Sequence, residues 1–151
     1  MRPGVARIVL VTSLAWAAAC APGDRLTAID ADVARDPRTR LEWTRHDHPE
    51  SLAWDAADRH CRELVLGNRR GWRLPEIGEV QALYDTKFTE PCGDRTCHFD
   101  PAIQLAGPYL WSATAREQGS RFYFDASAGN SFSPGITPKL VRRVLCVRAA
   151  S

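Results

Sequence analysis

The spacing of hydrophobic and polar positions changes character several times along this chain of 151 residues. Residues 8–19 are apolar apart from Thr12 and Ser13. Such a stretch is too short to cross a bilayer core, which takes roughly 20 apolar residues. Residues 33–43 read as two short strands joined by a turn at Pro37. Leu52, Ala56, Ala57, Cys61 and Leu64 then recur at spacings of three to four. That pattern predicts a helix capped by Ser51, running to about Leu66 and ended by Gly67. After a brief extended Trp72-Arg73-Leu74, Pro75 opens a second helix, with Glu76 and Glu79 near its positive end. Ile77, Val80, Leu83 and Tyr84 form its inward face. Residues 86–108 have little periodicity and read as a long loop. Beyond them, residues 109–114, 120–125, 130–133 and 140–148 predict an antiparallel meander. Helices ahead of strands make an α+β domain with two helices, a twisted antiparallel sheet and a long loop region.

The first residues change the picture of where this domain resides. Arg2 and Arg7 give the head two positive charges and no acid. A positive head, a short apolar run and small residues at its end make a secretory signal over residues 1–19. Ala17-Ala18-Ala19-Cys20 resembles the lipobox of bacterial lipoproteins, where the signal is cut before the cysteine and the cysteine carries lipid. Ala21 in the next position suggests an outer-membrane destination, and residues 20–32 read as a tether. An ordinary Ala-x-Ala cleavage, freeing a soluble periplasmic or secreted protein, is the alternative. The folded domain is expected over residues 33–149.

Cleavage before Cys20 removes two arginines and leaves 18 basic and 18 acidic side chains. A neutral domain has no overall pull toward nucleic acid, so no nucleic-acid partner is expected. Of five cysteines, lipid on Cys20 would leave Cys61, Cys92, Cys97 and Cys146, an even number for an oxidising compartment. Four cysteines allow three pairings. Cys92 and Cys97 stand five apart across a Gly-Asp turn, which makes a local bridge natural and leaves Cys61 for Cys146. Neither pair has the Cys-x-x-Cys spacing of a redox site.

The order of motifs resembles the bacterial domain family typified by the C-terminal domain of Legionella collagen-like protein. Asp36, Thr39, Leu41 and Trp43 meet its opening pattern, with Arg40 where a glycine is usual. Trp54, Ala57 and Cys61 match its first helix, and Trp72-Arg73-Leu74-Pro75 stands intact ahead of the second. Tyr109-Leu110-Trp111-Ser112-Ala113-Thr114 is a loosened form of a further signature. Val144-Leu145-Cys146-Val147-Arg148 matches the close. The resemblance implies a C-type-lectin-like fold, stapled by a Cys61–Cys146 bridge from the first helix to the last strand.

The candidate chemistry is that of binding. Calcium-dependent sugar sites of C-type lectins use Glu-Pro-Asn and Trp-Asn-Asp sequences. Here Glu90-Pro91-Cys92 replaces the first and the second is missing, so calcium is not expected. Glu90, Asp94, Asp100 and Asp125 are the carboxylates that would have to converge for it. His46 and His48 would share a strand face and could hold a metal with further ligands. A polar loop before Pro49 explains them equally, and no metal is assigned. The motifs of serine hydrolases, zinc proteases and phosphate-binding loops are missing, so neither a catalytic residue nor a cofactor is assigned. Arg69, Arg70, Arg142 and Arg143 are candidate anion contacts, because guanidinium pairs well with carboxylate and sulfate. Their bland counterpart is a solvated surface or pairing with Asp58 or Glu63. Period-two alternation puts Arg142 and Cys146 on one face of the last strand and Arg143 on the other. Trp43, Trp54, Trp72 and Trp111 read as core, and Tyr123 as the exposed aromatic.

These features predict an exported cell-envelope binding module, with a glycan or an envelope protein as partner and residues 86–108 as the binding loop. A structural lipoprotein without a glycan ligand is the alternative, and an unrecognised hydrolase comes third.

Overall fold

The computed structural model describes residues 25–151. The expected signal sequence, Cys20 and the first part of the expected tether lie outside the described residues. Strand β1 (Thr27–Ala28) pairs with β2 (Val33–Asp36), which pairs with β3 (Leu41–Thr44). Strand β4 (Leu52–Ala53) leads straight into helix α1 (Trp54–Glu63), and helix α2 (Ile77–Leu83) follows. A hairpin of β5 (Glu90–Cys92) and β6 (Arg95–Cys97) precedes an antiparallel meander of β7 (Tyr109–Trp111), β8 (Tyr123–Asp125) and β9 (Asn130–Phe132). Strand β10 (Val141–Arg142) returns to pair with β4, and β11 (Val147–Ala149) pairs with β3. The described residues are α+β, with two helices and four small antiparallel sheets in place of one twisted sheet. No helix among the described residues is long and apolar enough to cross a membrane.

Several elements depart from expectation for tertiary reasons. Ser51 does not cap α1. Leu52 and Ala53 are held extended by Arg142 and Val141, so the helix begins only at Trp54 with Ala53 as its N-cap. It ends at Glu63, because Leu64 turns extended and Leu66 closes a tight turn with Arg69. The second helix starts at Ile77, two residues after Pro75. The Glu79 carboxylate accepts a 2.8 Å hydrogen bond from the Glu76 amide, tying down its first turn. The tether reading of residues 20–32 gives way from Arg25 onward. Leu26 is buried, its amide donates to the Asp100 carboxylate, and Arg25 pairs with Asp36 at 2.8 Å.

Residues 86–108 are more than loop. They hold the β5–β6 hairpin, and Cys92, Cys97, Phe99, Ile103 and Leu105 enter the core. Residues 140–148 are not one strand. Val144, Leu145, Cys146 and Val147 are all buried, so the chain runs through the interior between β10 and β11 and loses its alternation. The expected shared face of Arg142 and Cys146 therefore does not exist.

Two apolar clusters form the core. One gathers Trp43, Val80, Leu83, Phe99, Leu110 and Phe124, with α2 against it. The other gathers Val33, Ala57, Trp72, Leu74 and Trp111 under α1 around the Cys61–Cys146 bridge. The second bridge joins Cys92 to Cys97. Trp43, Trp72 and Trp111 are fully buried, as core placement requires, while Trp54 is half-buried. Its indole N–H donates to the Ser112 carbonyl at 2.8 Å, and the Arg121 guanidinium lies 4.2 Å from the centre of its ring.

Candidate functional site, an aromatic and arginine face

Register decides which aromatic side chains share a face. In the β7–β8–β9 meander Trp111 lies opposite Tyr123, and Tyr123 opposite Phe132. Alternation places Tyr109 with them, while Leu110 and Phe124 point the other way into the core. Tyr123 is the hub. It meets Tyr109 and Trp111 edge-on at 5.8 and 6.2 Å and stacks on Phe132 at 5.2 Å. Phe132, on the edge strand, is 45% exposed, and Tyr123 itself is half-buried.

The β10–β4 pairing carries Arg142 to this face. Its guanidinium lies 4.3 Å from the centre of the Tyr123 ring and 5.5 Å from that of Tyr109. Arg95, on the stapled hairpin, reaches Tyr109 at 5.9 Å from the other sequence region. A cavity of about 260 Å³ adjoins, lined among others by Ser51, Tyr109, Val141 and Arg142. Flat apolar rings beside guanidinium donors can stack on a sugar ring and hydrogen-bond its hydroxyl or carboxylate groups.

The other arginine candidates go elsewhere. Arg143 turns inward, where its Nε pairs with Asp47 at 2.7 Å and its terminal nitrogens donate to the carbonyls of His48 and Pro49. Gly107 leaves room for it, since a Cβ there would come within 3.3 Å of the Arg143 side chain. Arg143 is thus a bolt between segments. Arg69 pairs with Asp30 at 2.6 Å and stands 3.7 Å from Glu42, and Arg70 is exposed beyond it. The acids weighed as their partners sit apart, and Asp58 pairs with Arg62 on its own helix.

The histidine pair is also rearranged. His46 is exposed and bridges to Gln104, whereas His48 meets His60 of α1 with ring centres 4.5 Å apart. Burial pushes the His60 imidazole below its ordinary value, and the neighbouring His48 pushes it further. No group of three or more metal-ligating side chains forms among the described residues. Asp100 and Asp125 spend their carboxylates on backbone amides, at distant Leu26 and nearby Ala102 for the first and at Ser127 for the second. The Arg73 guanidinium beside Glu79 holds that carboxyl below the usual range.

Sequence reasoning singled out Tyr123 and Arg142 separately and missed Tyr109, Phe132 and Arg95 as their neighbours. The Phe122–Phe124 alternation was the available signal for Tyr123. Nothing local announced that residues 141–142 would return to β4.

The fold and this face define a disulfide-stapled α+β domain with an aromatic and arginine surface. The sequence profile of the Lcl C-terminal domain matches residues 32–148, and the chain belongs to that family. No curated protein and no solved structure is found to match the chain.

Proposed function

We propose that this chain is an exported envelope module that binds a glycan on the face formed by Tyr109, Tyr123, Phe132 and Arg142. The observation that carries this reading is the Tyr123 ring, stacked on exposed Phe132 and flanked by the Arg142 guanidinium at 4.3 Å. Such a surface offers a sugar ring a platform and a charged hydrogen-bond donor together. The face is built on short strands and a packed core, so little ordering entropy is lost on binding. Secretion and lipid attachment at Cys20 are supported by the positive head, the apolar run and the lipobox-like end. The C-type-lectin-like reading of the fold is supported by the Cys61–Cys146 bridge, which ties the first helix to the segment entering the last strand. The role proposed is binding. All four cysteines of the described residues are bridged, and they serve the scaffold of that face.

Glycan-array screening of the full chain, with and without calcium, tests this reading. The expected result is a saturable, calcium-independent hit that Tyr123→Ala abolishes. A blank array, or a hit indifferent to that substitution, would overturn it.

A further inference from the structure

Strand β3 lies between β2 and β11, and the pairing register sets Glu42 directly opposite both Arg35 and Arg148. Because Trp43 faces the core, Glu42 and its two partners occupy the other face of the sheet. Arg35 donates to Glu42 Oε1 at 2.6 Å, and Arg148 to Oε2 at 3.2 Å. Arg69, delivered by the turn after α1, brings its Nε to 3.7 Å from Oε2. Three guanidiniums from three separate elements thus converge on one carboxylate whose side chain is only 2% exposed. Asp30 at the rim supplies the only other negative charge paired with them among the described residues.

Charge balance alone does not account for this arrangement. Among side chains three cations meet two anions, which leaves one positive charge, and the terminal carboxylate of Ser151 lies on the cavity wall without an ion pair to any of the three. Each guanidinium carries five N–H donors, and each makes a single hydrogen bond to a carboxylate here. The remaining donors border a cavity of about 400 Å³ lined by Arg35, Glu42, Asn68, Arg69, Arg148 and Ser151. Each oxygen of Glu42 already accepts one hydrogen bond from an arginine, and its single negative charge is shared among all three. Arg35 is the most exposed of the three, with 45% of its side chain open, while Arg148 is held at 14% against the Trp72 ring.

We propose that this cavity is a second ligand site, one that takes a phosphate-type oxyanion. A tetrahedral oxyanion offers acceptors in several directions at once, which matches donors arriving from three elements. A planar carboxylate would satisfy one guanidinium fork and leave the others. The site shares no residue with the aromatic face and stands or falls independently of the glycan reading. The phosphate can be free or carried as a monoester on a small organic molecule, and Glu42 acts as the internal competitor that limits affinity. Removing its charge therefore strengthens binding, an effect that a purely structural charge cluster would not produce.

The test is isothermal titration of the full chain at low ionic strength with inorganic phosphate, with glycerol 3-phosphate, and with acetate as the planar control. Saturable binding of phosphate with a Kd of about 1 mM or tighter is expected. Arg35→Gln should weaken it by about fivefold or more, because one charge-assisted contact is lost. Arg35 is exposed enough for the fold to survive, which circular dichroism verifies, and Glu42 keeps Arg148. Glu42→Gln should tighten binding. Tighter binding of the ester than of inorganic phosphate assigns the site to a phosphorylated small molecule, and equal binding assigns it to the free ion. Absence of saturable phosphate binding at about 10 mM, or equal affinity in the folded Arg35→Gln protein, overturns the proposal.

Discussion

The guanidinium of Arg142 lies 4.3 Å from the centre of the Tyr123 ring, although the two residues belong to different sheets. The contact joins the β4–β10 pair to the meander and shapes the face proposed to bind glycan. A cation over an aromatic ring at a partly exposed site contributes about 0.5–1 kcal/mol. A double-mutant cycle with Arg142→Ala and Tyr123→Leu, read from urea midpoints, should return a coupling of that size. A coupling indistinguishable from zero would mean that the two are neighbours without mutual support.

Arg143 should behave differently from Arg142 despite adjacency. It is nearly buried against a still more buried Asp47, with side-chain exposures of 13% and 5%. Removing one partner of such a pair leaves an uncompensated charge, and Arg143→Ala should cost about 3–5 kcal/mol. Asp47→Ala in the same chain should recover part of that loss, which chemical denaturation of the double variant measures. A loss under about 1 kcal/mol would show that water reaches Asp47.

The two bridges should differ in weight. By the chain-entropy argument the Cys61–Cys146 loop, with its separation of 85 residues, contributes about 4.6 kcal/mol. The Cys92–Cys97 loop, with a separation of 5, contributes about 2 kcal/mol. Thermal melts of the paired Cys→Ala variants should therefore show the long bridge as the greater loss. The reverse order would point to strong residual structure in the unfolded chain.

His60 makes stability depend on pH near neutrality. Its folded-state pKa lies below the ordinary 6.5, through burial first and His48 second, with Glu63 opposing. The unfolded chain thus binds the proton more readily. The His60 contribution is complete above 6.5 and falls away as the pH drops below that value toward the folded-state pKa. Urea midpoints taken at about pH 7.5 and about pH 5.5 should differ less in His60→Gln than in the parent. An unchanged difference would locate the pH response in other groups.

Arg40 carries a positive φ of 58° at the β2–β3 turn, in the position where the resemblance leads one to expect glycine. A side chain in this conformation costs about 1–2 kcal/mol relative to a glycine, offset in part by the greater freedom of glycine in the unfolded chain. Arg40→Gly should raise stability by about 0.5–1 kcal/mol in a thermal or urea melt. Destabilisation would show that the arginine side chain makes a contact worth more than the strain.

Much of this protein was legible because the signals were local. The two helices follow from apolar residues recurring on one face, and the three-strand meander follows from alternation around Phe122 and Phe124. The Cys92–Cys97 bridge follows from spacing across a turn, and Cys61–Cys146 from the count that remains. The expectation of lipid attachment at Cys20 rests on the sequence alone. The tertiary structure decided whatever depends on partners distant in the chain. Leu52 and Ala53 are extended and not helical because Val141 and Arg142 pair with them. Residues 144–147 lose alternation because they are enclosed on all sides. Alternation puts Arg142 and Arg143 on opposite sides, but only the pairing of β10 with β4 decides that one meets Tyr123 and the other Asp47. Glu42 gathers Arg35, Arg69 and Arg148 because β2, β3 and β11 pair in one register. Sequence fixes which side chains can carry charge or stack. Long-range strand pairing, stabilised by burial that no short window reveals, decides which of them meet.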